Sequence, residues 1–410
     1  MRILYHHRTQ AGDAQGIHIR EMITAFQDLG HEVNTIALVQ NDGTRLRKNR
    51  GALWKQLVKY IPRWFYELMS LAYNLYGFWS LYRSIASKRP DLIYERYALN
   101  TFCGIWASRR FGIPLILEVN APLYYEQAQL GQLVFRRLAR FSERWICSNS
   151  TLTIVVSDMM KEFLMQNGVR SQNLSVIRNG IDPTKFHPKV SGNLIRQKYD
   201  LEGKLVIGFV GWFRKWHGLE MLLKVMSETN FAVQGVRVLL VGDGPALPDL
   251  YRFAKEQRIL PFVVFTGPVE QDRIPEHIAA MDIAVQPSVT EYACPIKIIE
   301  YMGMGKCIVA PNQPNIREIL QDGINSFLFE PRNEECFKSA LLVASECGET
   351  RHRIGRNAHQ TLHERQYLWS ANADKTLKLV RKVAHHKPCH LGQFQPGCEA
   401  TRLNQSREKS

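Results

Sequence analysis

Two doubly wound α/β domains, each a parallel sheet covered by crossover helices, are the fold class that the sequence predicts, and three observations predict it. Short β-rich runs alternate with helical periodicity along most of the chain. The 410 residues are enough for two cores, at about 100–200 residues per domain. Between two series of such runs, near 180–200, VIRNGIDPTKFHPK crowds an Asn-Gly, an Asp-Pro and a His-Pro into one short stretch that neither a helix nor a strand can contain.

The first series runs RILYH (2–6), VNTIALV (33–39), DLIYE (91–95), PLILEV (114–119), LTIVV (152–156) and LSVI (174–177). Helical periodicity separates several of these runs, which implies parallel pairing through crossover connections. The second series runs KLVIGFVG (204–211), VRVLLVG (236–242), FVVFTG (262–267), DIAVQP (282–287) and KCIVAP (306–311). The expected division is therefore residues 1–185, residues 186–365, a helix over 366–385 free to pack anywhere on the body, and a tail over 386–410. The tail has no apolar periodicity and is expected to be disordered.

Composition narrows the class further. With 45% hydrophobic and 22% charged residues, the chain is globular rather than disordered, collagenous or repeat-like. Eight cysteines without a Cys-x-x-Cys pair indicate neither a zinc finger nor a disulfide framework, and a reducing cytoplasm is expected. The apolar start of MRILYHHRTQ is too short for a signal peptide and reads as a first buried strand.

The net charge of +15 admits nucleic acid, an anionic membrane or phosphate-bearing small molecules as partners. Residues 45–90 carry ten Lys or Arg against the single acid Glu67, and six of those cations fall within 45–59. The centre of this segment, RWFYELMSLAYNLYGFWSLYR (63–83), is rich in aromatics, while Glu67, Asn74 and the preceding Pro62 make it a poor spanning helix. An interfacial helix on an anionic membrane is the expectation, and core helices with solvated charges are the alternative. No helix-turn-helix, RNP-type or zinc pattern accompanies the charge, so nucleic acid is not expected as a partner.

Chemistry concentrates in PSVTEYACPIKIIEYMGMGKCIVAP (287–311). A strand ends at Pro287, a loop carries Glu291, and Pro295 is placed at a first helical turn. The backbone N–H groups of Ile296 and Lys297, with the helix dipole, are suited to a diphosphate at the carboxyl edge of a parallel sheet. Glu300, one turn deeper on the face of Lys297, suits the paired hydroxyls of a ribose.

At these residues the sequence resembles the retaining GT-B glycosyltransferases of the family numbered four, whose signature is two glutamates separated by seven residues. Here Glu291 and Glu300 are separated by eight. The resemblance covers the chain to about residue 370. It implies two Rossmann-like domains facing a cleft, an acceptor side in residues 1–185 and a nucleotide-sugar side in residues 186–365. It also implies that Glu300 holds the donor ribose and Glu291 the donor sugar.

Weaker motifs follow the same order. GFVGWFRKWHG (208–218) lies where the family places two cations on the donor diphosphate, and Trp212 and His217 occupy those two positions. Arg214 and Lys297 are expected to restore the charge, with His217 donating a hydrogen bond. VLLVGDGPALPDL (238–250) resembles a structural Val-Gly-x-Gly-Pro turn. In YHHRTQAGDAQGIHIREMITAFQDLGHEV (5–33), Gly12 and Gly16 are expected to let a loop approach the donor or acceptor across the cleft, with His18 at the helix start. His6 and His7 read equally as strand-end residues packed beneath that loop.

Asn120 stands where many relatives carry a His that contacts the donor sugar. It can hydrogen-bond a hydroxyl but cannot act as a base, which suits a retaining transfer in which the departing diphosphate takes the acceptor proton. The absence of an Asp-x-Asp motif predicts metal independence, with no cofactor beyond the nucleotide-sugar co-substrate. The expected protein is thus a hexosyltransferase working peripherally at the cytoplasmic membrane face on a lipid-linked or polysaccharide acceptor. A sugar-nucleotide epimerase of the same architecture, or a basic nucleic-acid-binding protein, is the competing reading.

Overall fold

The computed structural model describes residues 1–8, 14–37 and 62–386. Gly12, the basic run at 45–59 and the tail from 387 onward lie outside the described residues.

Two six-stranded, all-parallel sheets form the body. The first contains β1 (Arg2–His7), β2 (Glu32–Ala37), β3 (Leu92–Arg96), β4 (Leu115–Val119), β5 (Leu152–Val155) and β6 (Leu174–Val176), in the order β2-β1-β3-β4-β5-β6. The second contains β7 (Leu205–Val210), β8 (Val236–Val241), β9 (Val263–Phe265), β10 (Ile283–Val285), β11 (Cys307–Pro311) and β12 (Phe327–Phe329), in the order β12-β11-β10-β7-β8-β9. In both orders the chain starts mid-sheet and reverses direction, as in other doubly wound folds. Eleven of these strands were foreseen. β12, three residues long, lies outside the β-rich runs that the sequence shows.

The described helices of the first half are α1 (Ala14–Asp28), α2 (Arg63–Ser87), α3 (Cys103–Phe111), α4 (Leu123–Gln129), α5 (Arg136–Asn149) and α6 (Asp158–Gln166). Those that follow are α7 (Asn193–Lys198), α8 (Leu219–Glu228), α9 (Leu247–Glu256), α10 (Ile274–Ala279), α11 (Ile296–Gly303), α12 (Pro314–Arg317), α13 (Glu334–Glu346), α14 (Gly348–Glu364) and α15 (Trp369–His386).

Period-two alternation divides the strands of the first sheet between two cores. Leu4, Ile93 and Leu117 face a cluster shared with α2 and α3, while Ile3, Tyr5, Tyr94 and Ile116 face one shared with α1 and α15. The last helix therefore returns to the first sheet, where Trp369, Ala373 and Leu377 meet Ile19, Met22 and Phe26. Two chain crossings run side by side at this return. Ile181 N–H donates to the Tyr367 carbonyl at 3.1 Å, and Trp369 N–H donates to the Ile181 carbonyl at 3.2 Å.

The aromatic helix α2 has a buried stripe of Glu67, Tyr73, Asn74, Gly77, Leu81 and Ile85 at helical spacing. A side chain at Gly77 would stand 2.7 Å from Cys103 Sγ, so glycine lets α2 approach α3 closely. Glu67 and Asn74, the polar residues that make this a poor spanning helix, are its inward anchors. Glu67 accepts from the N–H groups of Val134 (2.5 Å) and Phe135 (3.1 Å), where its charge also favours the start of α5. Asn74 accepts from Phe102 N–H (2.5 Å) and Cys103 N–H (3.0 Å) and donates to the Asn100 carbonyl (2.8 Å). The opposite face stays in solvent with Leu75 75% exposed and Trp79 52% exposed. Among the described residues, no helix is long and apolar enough to cross a membrane.

Candidate active site

The loop after β10 opens α11, and Pro295 precedes that helix at the N-cap position rather than in its first turn. Ile296 and Lys297 are thus its first two residues, and first-turn N–H groups have no acceptor within a helix. The Lys297 ammonium lies 4.2 Å above the Phe209 ring and 3.4 Å from His217 Nε2. Gly211 (φ 144°) borders the same space, since a Cβ there would stand 3.0 Å from Lys297 Nζ.

Burial governs the charges of this cluster. It lowers Lys297 to about 7, against the opposing pull of Glu300. It lowers His217 to about 3, helped by the neighbouring Lys297, so this imidazole is neutral at physiological pH and can both donate and accept. Glu300, 7% exposed, is raised to about 7 by burial, opposed by Lys297 and assisted by Glu21 of α1. The effect of Glu21 on Glu300 places α1 beside the cluster, and Glu21 also bonds Lys185 at 3.0 Å.

Arg214, like Lys297, lowers the pKa of His217. Its guanidinium lies 4.9 Å above the exposed Trp216 ring and lines a cavity of about 330 Å³ between α8 and α9 with Asp249, Arg252 and Glu256. Trp212 is likewise exposed. The Gly-Asp-Gly turn after β8 packs on this loop, because Phe213 N–H donates to the Asp243 carbonyl at 2.6 Å and a Cβ on Gly244 would lie 2.4 Å from Phe213 O. Glycine there is a packing requirement.

Glu291 is exposed and its carboxylate makes no hydrogen bond or ion pair among the described residues. The loop turns at Glu291 and Tyr292, with Ala293 N–H donating to the Thr290 carbonyl at 3.2 Å. Buried Asn315 clamps that turn by donating to the carbonyls of Thr290 (3.0 Å) and Ala293 (2.8 Å). Three groups of the first half of the chain hold the loop as well. Asn179 donates to the Cys294 carbonyl at 2.6 Å, Ser157 Oγ donates to the Tyr292 carbonyl at 2.6 Å, and the Tyr292 hydroxyl donates to the Glu126 carboxylate. None of these partners carries a local sequence signal, since each bond joins positions more than a hundred residues apart.

In the first domain, Asn120 follows β4 and its buried Oδ1 has no hydrogen-bond partner among the described residues. Gly16 and His18 depart from expectation. Gly16 is buried in the first turn of α1 and not in the preceding loop, because the helix already begins at Ala14. His18 is buried one turn into α1, with Nε2 2.9 Å from Glu118 Oε1, beside Arg96 at 2.7 Å from the same oxygen. Burial pushes Glu118 up, but His18 and Arg96 outweigh it and hold the carboxyl at about 2. His18 thus closes an internal charge cluster rather than an open acceptor surface.

His6 packs beneath the strand end, its Nδ1 at 2.6 Å from Glu95 and its Nε2 at 2.9 Å from the Tyr73 hydroxyl. His6, Glu95 and Cys103 are the one group of metal-ligand type among the described residues. Both imidazole nitrogens of His6 are engaged within the protein.

A family model for "Glycosyl transferases group 1" matches residues 204–346, and one for "Glycosyltransferase Family 4" matches residues 15–185. An uncharacterised glycosyltransferase of Methanocaldococcus jannaschii is 22% identical over 326 residues, covering 75% of this chain and 79% of the relative. The UDP-Gal:α-D-GlcNAc-diphosphoundecaprenol α-1,3-galactosyltransferase of Escherichia coli is 25% identical, covering 68% of this chain and 72% of the relative. The crystal structure of Anabaena HepE with UDP-glucose superposes with a TM-score of 0.71 at 18% identity, over 93% of this chain and 100% of HepE. Both halves of the chain, each built on its own parallel sheet, thus carry the same assignment. The chain belongs to the group 1, family 4 glycosyltransferases and has the GT-B fold of enzymes that use nucleotide-sugar donors.

Proposed function

We propose that the protein transfers a hexosyl group from a nucleoside diphosphate donor, with retention of anomeric configuration, to a lipid-linked or polysaccharide acceptor presented at the cytoplasmic face of an anionic membrane. The observation that carries this reading is the Lys297–His217–Glu300 cluster at the mouth of the second sheet. Lys297 and the first-turn N–H groups of α11 receive the diphosphate, His217 donates a hydrogen bond to it, and Arg214 supplies a second cation from the rim. Charge on the departing diphosphate grows in the transition state, where an ammonium in a poorly hydrated pocket stabilises it most. Glu300 accepts from the ribose hydroxyls. Glu291 and Asn120 Oδ1, without a hydrogen-bond partner among the described residues, are left to meet the donor sugar.

Asn120 cannot take a proton, so the departing diphosphate receives the one released by the acceptor hydroxyl. Attack and departure then share one face of the sugar, which retains configuration. Neutralisation by protein groups leaves no step that needs a metal ion.

The acceptor class is supported by the solvent face of α2. Trp64, Phe65, Leu68, Leu75, Tyr76 and Trp79 are all exposed there, and Val134, Phe135, Leu138 and Phe141 continue the apolar surface at the start of α5. Exposed Arg63, Arg83, Arg136, Arg137 and Arg140 accompany it. A broad aromatic face accompanied by arginines suits the interface of an anionic bilayer.

Incubation with radiolabelled UDP- and GDP-sugars, with and without a membrane lipid extract, tests the reaction. Transfer to a lipid-extractable product with the donor's anomeric configuration is expected. An inverted product, or an epimerised nucleotide sugar without transfer, overturns the reading. Flotation with phosphatidylcholine–phosphatidylglycerol vesicles tests the surface. Replacement of Leu75 and Trp79 by Ser is expected to release the protein, and undiminished binding removes the membrane from the proposal.

A further inference from the structure

Tyr292 joins the two halves of the molecule at the donor loop. It immediately follows Glu291, sits within the Thr290–Ala293 turn, and packs against the core of the first sheet rather than that of the second. Its hydroxyl donates to Glu126 of α4, and its carbonyl accepts from Ser157 Oγ at the start of α6. Burial, then the Glu126 carboxylate, push this hydroxyl well above the usual range, so it stays a proton donor. A charged acceptor makes the bond stronger than one between neutral groups.

The other end of the contact is also held. Glu143, buried beneath α4, accepts from Tyr124 N–H and from the Tyr97 hydroxyl, both at 3.0 Å. Glu126 therefore projects from a short helix whose start is tied to the core of the first sheet. α4 begins three residues after Asn120, so the segment that bonds Tyr292 is continuous with the one that carries Asn120. Glu291 and Asn120 come from different sheets, and the Tyr292–Glu126 bond lies next to both in sequence.

We infer that Tyr292 is a positioning residue: through Glu126 it ties the donor loop to the first domain and so sets Glu291 against the donor sugar. The inference rests on the proposed sugar contact of Glu291 for its catalytic consequence but not for the latch itself. The nucleotide is held on the α11 side, which the latch does not touch. Its loss is expected to act on the sugar half of the donor and on turnover, and not on the nucleotide half.

The first measurement needs no substrate. Hydrogen–deuterium exchange of the ligand-free protein is expected to speed up about tenfold in peptides spanning 288–295 and 121–129 for Tyr292→Phe, with the thermal midpoint nearly unchanged. Unchanged exchange in both peptides overturns the latch, whatever reaction the protein catalyses. The second measurement compares affinities for the nucleoside diphosphate and for the nucleotide sugar identified in the transfer assay. Tyr292→Phe is expected to leave the former unchanged, to weaken the latter, and to lower kcat about tenfold. Glu126→Ala, which removes the acceptor, is expected to lower kcat about as much as Tyr292→Phe, and Tyr292→Phe/Glu126→Ala to match either variant alone. Equal loss of both affinities, or additive losses in the double variant, overturns the positioning role. Faster exchange with wild-type kinetics in Tyr292→Phe keeps the latch and removes its link to Glu291.

Discussion

Raising the pH above neutrality should weaken the binding of a nucleoside diphosphate through Lys297. Burial lowers this lysine from 10.5 to about 7 in the folded, ligand-free protein. The amine is then half protonated near pH 7, about one-tenth at pH 8 and about one-hundredth at pH 9. A diphosphate needs the ammonium, so its apparent affinity should fall about tenfold per pH unit above 7 as binding comes to require uptake of about one proton. Stability moves the other way. Between 7 and 10.5 the unfolded lysine binds more protons than the folded one, so the free protein gains stability from this group as pH rises through that window. Glu300, raised to about 7, titrates with Lys297 as a pair, and on the alkaline side its carboxylate remains ionised. Titration calorimetry with UDP and GDP at pH 7, 8 and 9, in buffers of different ionisation enthalpy, measures affinity and proton uptake together. Lys297→Met is expected to bind weakly with no slope above pH 7 and to be more heat-stable than the parent at pH 7. Parental affinity constant from pH 7 to 9, or a slope that survives in Lys297→Met, would refute the reasoning.

Three further outcomes follow from the site and its scaffold. Glu300→Gln should weaken nucleotide binding by about 1.5–3 kcal/mol through loss of charge-assisted bonds, whereas Glu291→Gln should reduce turnover with nucleotide affinity retained; equilibrium binding and steady-state rates on the same preparations separate the two. Turnover should persist in EDTA and gain nothing from magnesium or manganese, and activity that vanishes with the chelator and returns with either ion contradicts neutralisation by protein cations. Asn74→Ala leaves the N–H groups of Phe102 and Cys103 without an acceptor beneath α2, so urea unfolding should show a loss of about 2–3 kcal/mol.

What the sequence alone determined is local. Eleven strands were legible because period two and period 3.6 depend only on neighbouring residues, and the motif ending in Glu300 was legible because strand, loop, proline and helix follow one another within one short stretch. Lys297 and Glu300, three apart on one helix, had to share a face wherever the fold placed them. The tertiary structure decided everything that depends on which distant segments meet. The apolar sequence of α2 does not show that Glu67 and Asn74 point inward, because their partners at 134–135 and 100–103 belong to other elements. His18 became an internal ion-pair partner only because β4 brings Glu118, and β3 brings Arg96, beneath α1. The return of α15 to the first sheet and the bond between Tyr292 and Glu126 are likewise set by chain paths more than a hundred residues long. Burial then set the charges, since a lysine and a glutamate three residues apart on one helix are each drawn toward neutrality once water is excluded from around them.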